Sequence, residues 1–158
     1  MTLTRRTDTL RLIAERLKLD EMRQEARKPG VGEAFRITIY HHDGHAPNSV
    51  ATLRRLPGGN CKLNVSYDTL GRNRTYDFSV PLERHQKLLA ALRLNKFDEM
   101  DDEPDLPYYG VDLWLVERSS GSFHHDVVLS PESARGHYRE LVVAVRTYLP
   151  EAVREITS

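Results

Sequence analysis

The chain has 158 residues, of which 39% are hydrophobic and 29% charged, as expected of one soluble globular domain with a sizeable core. Basic and acidic residues number 23 each, so no net charge directs the protein to nucleic acid or a membrane surface. A single cysteine, Cys61, excludes an internal disulfide and a paired-cysteine zinc site. No apolar run approaches the roughly 20 residues that cross a bilayer, and residues 1–6 lead into charged sequence, so we expect a cytoplasmic protein.

The N-terminal region, residues 1–28, is predicted to form one amphipathic helix. Thr7 or Asp8 can cap it, apolar residues recur after the cap at three- and four-residue steps, and a Pro-Gly pair follows Lys28. The apolar stripe is narrow and the remaining surface is charged, which favours a helix over one edge of the domain. The alternative is a helix that contacts a partner or a second copy, with Arg11 and Arg16 among the contacts.

Four short strands and a second helix come next. Phe35, Ile37 and Ile39 alternate with more polar residues, which predicts a half-buried first strand. The other three strands are predicted over residues 50–56, 61–67 and 74–80, with a polar loop and turns between them that include residues 70–73. Such a run is typical of an antiparallel meander. Pro81 then opens a helix that extends to about Leu94.

A hairpin and a last helix complete the chain. Residues 111–117 have apolar side chains on both faces, which predicts a central strand that is covered on both sides. Gly121 suits the tight turn into a return strand over residues 123–129. Ser130 can cap a helix and Pro131 lacks the N–H that would be unpaired in its first turn, so we predict that the last helix starts there.

The predicted order of elements is α-β-β-β-β-α-β-β-α. Helices and strands are grouped and most strand connections are hairpins, so the fold class is α+β. We expect an antiparallel sheet of five to six strands with helices packed on it. The chain is predicted to be a single domain, residues 1–158, in which the helix of residues 1–28 precedes a sheet-and-helix core over residues 34–149.

Histidine recurs in two His-His-Asp tripeptides, which begin at His41 and His124, and His45 follows the first tripeptide. Imidazole and carboxylate suit zinc or another transition metal. If the loop of His41, His42 and His45 lay beside the last strand, four or more ligands would converge. However, His124 and His125 point to opposite faces of a strand, and no helical His-Glu-x-x-His pattern is present. We therefore assign no metal ligand and no cofactor from sequence.

An acidic segment, residues 98–109, precedes the hairpin. Its spacing does not fit an EF-hand, since the loop counted from Asp101 lacks the glycine at its sixth position. One interpretation is a solvated acidic loop, and the other is a docking surface for a basic partner, with Asp101 and Asp102 as contacts. Tyr108 and Tyr109 end the segment and are candidates for an exposed patch that anchors a partner.

From residue 35 to residue 149 the chain resembles a widespread group of uncharacterised bacterial proteins. These have a helix ending in Phe, then Trp-x-x-Glu, a turn glycine, a His, and Ser-Pro at the last helix. The corresponding residues are Phe97, Trp114, Glu117, Gly121, His124, Ser130 and Pro131. The resemblance implies this fold and a bacterial origin, and it brings no activity. The element order is also similar to that of type III secretion chaperones, which bind effector proteins as dimers through a helix and sheet surface.

No serine elbow, phosphate loop or dinucleotide fingerprint is present, so we predict no catalytic residue and lean towards a protein that is not an enzyme. The favoured function is a cytoplasmic protein that binds another protein, as a secretion chaperone, an immunity protein or an adaptor does. A homodimer is compatible with this function. The alternative is a metal-binding protein or metal-dependent enzyme that uses the loop of His41, His42 and His45 together with His124. Nucleic-acid binding ranks third, because acidic residues offset the basic ones.

Overall fold

A computed structural model describes residues 6–69 and 72–157 of the chain. Part of the predicted turn over residues 70–73 therefore lies outside the described residues, as do residues 1–5. The strands are β1 (Glu33–Tyr40), β2 (Ser49–Arg55), β3 (Asn60–Tyr67), β4 (Arg74–Pro81), β5 (Leu113–Ser120) and β6 (Phe123–Leu129). The helices are α1 (Arg6–Arg16), α2 (Met22–Arg27), α3 (Leu82–Leu94) and α4 (His137–Tyr148), with 3₁₀ turns at Phe97–Glu99 and Pro150–Val153.

The described strands form one sheet in the order β4-β3-β2-β1-β5-β6, and every neighbouring pair is antiparallel. The α+β class and the predicted order of elements are thus confirmed. β2, β3 and β4 follow β1 as a meander, whereas β5 pairs with the other side of β1, which places β1 inside the sheet. None of the described helices is long and apolar enough to cross a membrane.

Helices cover the sheet on both faces. α3 and α4 pack on one face, where Leu88 and Val145 are fully buried in the main core. α1 packs on the opposite face, and its Leu10 and Ile13 lie in a smaller core with Leu115 of β5. Burying a leucine or isoleucine side chain contributes about 1.5–3 kcal/mol, so this smaller core is enough to attach α1 to the sheet. α1 therefore lies across a face of the sheet and not along an edge of the domain.

β1 is buried on both faces, in contrast to the predicted half-buried strand. Arg36 and Thr38, which were expected to face solvent, are 2% and 1% exposed. The reason is that α1 and α2 cover the face to which these two side chains point. A polar alternation in the sequence does not distinguish a solvated face from one that is covered by helices carrying polar groups.

The predicted first helix is two helices, because α1 ends in a left-handed cap. Lys18 has a φ of 60°, its N–H donates to Glu15 O at 2.9 Å, and the N–H of Leu19 donates to Ala14 O at 3.0 Å. This pair of hydrogen bonds is the Schellman motif, which usually has glycine at the left-handed position. Because lysine occupies it here, the sequence shows no sign of the break.

The last helix begins at His137, seven residues after the predicted start at Ser130. Ser130 continues the edge of the sheet, since it is fully buried and its N–H donates to Glu103 Oε1 at 2.9 Å. The chain then turns, and Gly136, with a φ of 58°, precedes the first helical residue. A backbone held in this way by the sheet edge cannot form the helix start that Ser130 and Pro131 suggest.

We expect Lys18→Gly to raise the free energy of unfolding by about 0.5–1 kcal/mol, because glycine adopts the left-handed conformation without strain. Urea denaturation of the two proteins measures the difference. Lys18→Ala is the matched control, since it removes the same side chain but keeps the strain. An equal gain from Lys18→Ala would show that the side chain, and not the backbone, is responsible.

Candidate functional site

A row of polar side chains crosses the sheet on the face that α1 and α2 cover. From β4 to β6, the successive cross-strand partners are Asp77, Asn64, Thr52, Arg36, Glu117 and Asp126. Directly opposed side chains on one face lie about 5 Å apart, so neighbours in this row interact. A buried charge needs partners, and Arg36 donates from Nε to Thr52 Oγ1 at 2.9 Å and from Nη1 to the carbonyl of Asp20 at 2.7 Å.

At the β5–β6 end of this row, two carboxylates and an imidazole converge. His124 Nε2 lies 3.5 Å from Glu117 Oε2 and 3.3 Å from Asp126 Oδ2. The hairpin register produces this arrangement, because Glu117 pairs with Asp126 and Ser119 pairs with His124 on the same face. Ser119 Oγ lies 2.7 Å from His124 Nδ1, which orients the ring. We call Glu117, His124 and Asp126 the hairpin cluster.

Arg11 of α1 reaches into the hairpin cluster. Its Nη2 lies 2.7 Å from Asp126 Oδ2, 3.2 Å from Glu117 Oε2 and 3.1 Å from His124 Nε2. One cationic nitrogen thus contacts all three side chains. Burial raises the pKa of Glu117 above its usual value, although Arg11 and Arg36 act in the opposite direction.

A cavity of about 370 Å³ lies between the sheet and the segment that joins α1 to α2. All three residues of the hairpin cluster line it, together with Arg11 and Arg36, and Asp20 and Glu21 line it from the joining segment. Carboxylate, imidazole and guanidinium groups therefore line one partly open cavity. Such an arrangement can bind a cation, or an ion together with an oxygen ligand, but it contains no activated serine or cysteine among its lining residues.

The first His-His-Asp tripeptide belongs to a second cluster, around Asp112. His41 Nδ1 lies 3.3 Å from Asp112 Oδ2, and His42 Nδ1 lies 2.6 Å from Asp112 Oδ1. His45 contacts Asp43 instead, and its ring packs on that of His41 at 4.5 Å. Asp112 precedes Glu117 by five residues, about 17 Å along an extended chain. The structure therefore does not bring the loop of His41, His42 and His45 together with His124.

The two histidines at the start of the first loop differ in exposure. The side chain of His41 is only 7% exposed, whereas that of His42 is 32% exposed. The predicted separation of the second histidine pair is observed: His124 faces α1, and the ring of His125 packs on Phe97 on the other face of the sheet at 5.3 Å.

The two tyrosines before the hairpin lie at the surface, with Tyr108 88% and Tyr109 91% exposed. The acidic segment that carries them is attached to the edge strand β6. The N–H of Val128 donates to Asp102 Oδ1 at 2.8 Å, and the N–H of Glu103 donates to Val128 O at 2.8 Å. Asp102 thus has a structural contact, whereas Asp101 is exposed and accepts the Tyr138 hydroxyl only through its backbone carbonyl.

The two predicted contact arginines of α1 have partners within the chain. Arg11 pairs with Glu117 and Asp126, and Arg16 pairs with Asp68 at 3.1 Å. Their contact with another protein stays a prediction.

Sequence reasoning did not connect Glu117, Ser119 and Arg36 with His124. A signal for the first two was present, because a turn at Gly121 implies the register that pairs Glu117 with Asp126. No comparable signal exists for Arg36, which lies on a strand distant in sequence.

A comparison with known proteins assigns no function, so the function is inferred from the side-chain contacts described above. The chain matches no protein-family model and no curated protein.

We expect Asp112→Asn to lower the free energy of unfolding at pH 7 by about 1–3 kcal/mol, because two imidazoles lose a carboxylate partner. Burial alone would raise the pKa of Asp112, but the hydrogen bonds from His42 and His41 outweigh it and the pKa is lowered. A carboxylate with a lowered pKa stabilises the fold above about pH 4 and loses this effect as the pH falls through its folded-state pKa. The difference between the proteins should therefore shrink below about pH 4 in urea denaturation. A difference that stayed constant into strong acid would contradict this origin.

Proposed function

We propose that this chain is a non-enzymatic protein, of bacterial origin and cytoplasmic location, that binds another protein through a surface formed by Asp101, Asp105, Tyr108 and Tyr109. The partner contributes arginine or lysine side chains. The observation that supports this proposal most directly is the exposure of the two adjacent tyrosines on a segment whose backbone is attached to the sheet. Tyrosines are common anchors of protein interfaces.

The attachment of the segment favours binding. The side chain of Asp102 accepts a hydrogen bond from the backbone of β6, and that of Glu103 accepts one from the N–H of Ser130, directly after β6. The residues beside them are therefore already ordered. A surface that is ordered before association loses less conformational entropy when the partner arrives. The tyrosines would thus contribute most of their contact area to affinity.

The chain's own Arg6 indicates what chemistry the surface recognises. Its guanidinium lies 5.3 Å from the centre of the Tyr108 ring and donates from Nη2 to Leu106 O at 2.6 Å. Asp102, Glu103 and Asp105 line the same surface groove. A ring face, a backbone carbonyl and carboxylates together suit an arginine side chain, which stacks and donates in one plane.

A second copy of the chain is the other occupant to be tested. Arg11 and Arg16 already have intramolecular partners, so they favour a homodimer less than an unpaired arginine would. Light scattering on the untagged protein distinguishes a monomer from a dimer.

The test compares wild type with the double variant Tyr108→Ala/Tyr109→Ala. We expect a fluorescent peptide of alternating arginine and glycine to bind the wild type, and the double variant to bind it at least about tenfold more weakly by fluorescence anisotropy. Leu94→Ala is the matched control, because Leu94 is 88% exposed on α3, and it should leave binding unchanged.

Equal binding of a glutamate-glycine peptide, or an equal loss in Leu94→Ala, would contradict the proposal. If the wild type is a dimer and Tyr108→Ala/Tyr109→Ala converts it to a monomer, the occupant of this surface is a second copy of the chain and not a basic partner.

A further inference from the structure

The separations within the hairpin cluster match those of a metal site. Four ligands arranged tetrahedrally at about 2.1 Å from a zinc ion lie about 3.4 Å from one another. His124 Nε2 lies 3.5 Å from Glu117 Oε2 and 3.3 Å from Asp126 Oδ2, and all three ligand atoms are within 4.8 Å of one another.

The three side chains are held in place by the hairpin itself. Glu117 and Asp126 are direct partners in the β5–β6 ladder, and His124 lies two residues from Asp126 on the same face. His124 Nδ1 lies 2.7 Å from the oxygen of Ser119, which is fully buried. With the ring proton on Nδ1 and donated to this hydroxyl, Nε2 carries the lone pair that a metal needs. Metal-binding histidines commonly have such a contact at their other nitrogen.

The guanidinium of Arg11 already lies between the three side chains of the hairpin cluster. Arg11 Nη2 is within 3.2 Å of all three ligand atoms, and its side chain is 37% exposed at the mouth of the cavity. A long arginine side chain that is partly exposed can rotate into solvent without disturbing the strands. A divalent ion at the same position would balance both carboxylates, whereas the guanidinium supplies a single positive charge.

The cavity provides room for a further ligand. Arg36 lines it, is 2% exposed, and its Nη2 has no hydrogen-bond partner among the described residues. The carboxylate nearest to this nitrogen in an ion pair, Glu25 Oε1, is 3.9 Å away. A buried guanidinium beside the cavity favours an oxygen ligand that carries negative charge.

We propose that Glu117, His124 and Asp126 bind one divalent transition-metal ion of the zinc class, with Arg11 displaced and an oxygen of water or a small anion in the cavity as the remaining ligand. Two carboxylates and one imidazole, with a position left for water, form a donor set of the kind that zinc uses in sites that bind substrate. The site does not involve the cluster around Asp112.

Titration calorimetry of the untagged full chain with zinc chloride tests the proposal. We expect one zinc ion per chain for wild type, and a loss of at least about tenfold in affinity for His124→Ala and for the nearly isosteric Asp126→Asn. His125→Ala is the matched control, because the adjacent ring faces the other side of the sheet, and its affinity should equal that of wild type. Circular dichroism verifies that each variant is folded.

The Arg11→Met variant distinguishes zinc binding at the hairpin cluster from zinc binding at other histidines. If Arg11 competes with the metal for the hairpin cluster, Arg11→Met should bind zinc at least about tenfold more tightly than wild type. Cobalt(II) added to Arg11→Met should give the visible absorption bands of a tetrahedral ion, and Asp126→Asn should weaken these bands. The absence of binding in both wild type and Arg11→Met would overturn the proposal. Zinc binding that survives Asp126→Asn but is lost in His41→Ala would also overturn it, and would assign the ion to the cluster around Asp112.

Discussion

A buried guanidinium in the middle of the sheet, that of Arg36, sets the conditions for the rest of the structure. A charge in this position is unfavourable by several kcal/mol unless other groups compensate it. Compensation comes from Thr52 on the neighbouring strand, from the backbone carbonyl of Asp20 between α1 and α2, and from Glu117 across β5. The helical layer on this face is thus attached through a polar contact as well as through its apolar stripe, and it cannot slide along the sheet without breaking the hydrogen bond from Arg36 to the carbonyl of Asp20.

Each helix of this layer supplies a charged side chain that pairs with oppositely charged side chains of the sheet. α2 supplies Glu25, which is 1% exposed and accepts from Arg54 of β2 at 2.7 and 2.9 Å. α1 supplies Arg11 to the acidic β5–β6 end. The signs alternate across the face, so a chain with no net charge still contains two buried regions of opposite sign. Such regions specify where each helix lies better than an apolar surface would, because a displaced helix would meet like charges.

Local patterns in the sequence were enough to predict the strands, the fold class and the order of elements, because hydrophobic alternation and turn residues are local signals. They failed where a distant contact decides. Ser130 is held by Glu103, which lies 27 residues earlier in the chain. Lys18 is a different failure, because a lysine in the left-handed position gives no local signal that the helix ends. The hairpin cluster depends on one short register and could have been found from the turn at Gly121. The contact between His41 and Asp112 depends on the pairing of β1 with β5, 71 residues apart, which no local pattern specifies.

The way in which α1 is attached to the sheet explains how Arg11 and Arg6 can each take part in a different binding site. Leu10, Ile13 and Leu17 are at most 9% exposed, and each leucine or isoleucine contributes about 1.5–3 kcal/mol by burial. A partly exposed ion pair contributes only about 0–1 kcal/mol, so the pairs of Arg11 are a small part of what attaches the helix. The same holds for the contact of Arg6 with Tyr108 at the start of the helix. Because apolar contacts provide most of the attachment of α1 to the sheet, either arginine can exchange its partner for an ion or for another protein while the fold stays intact.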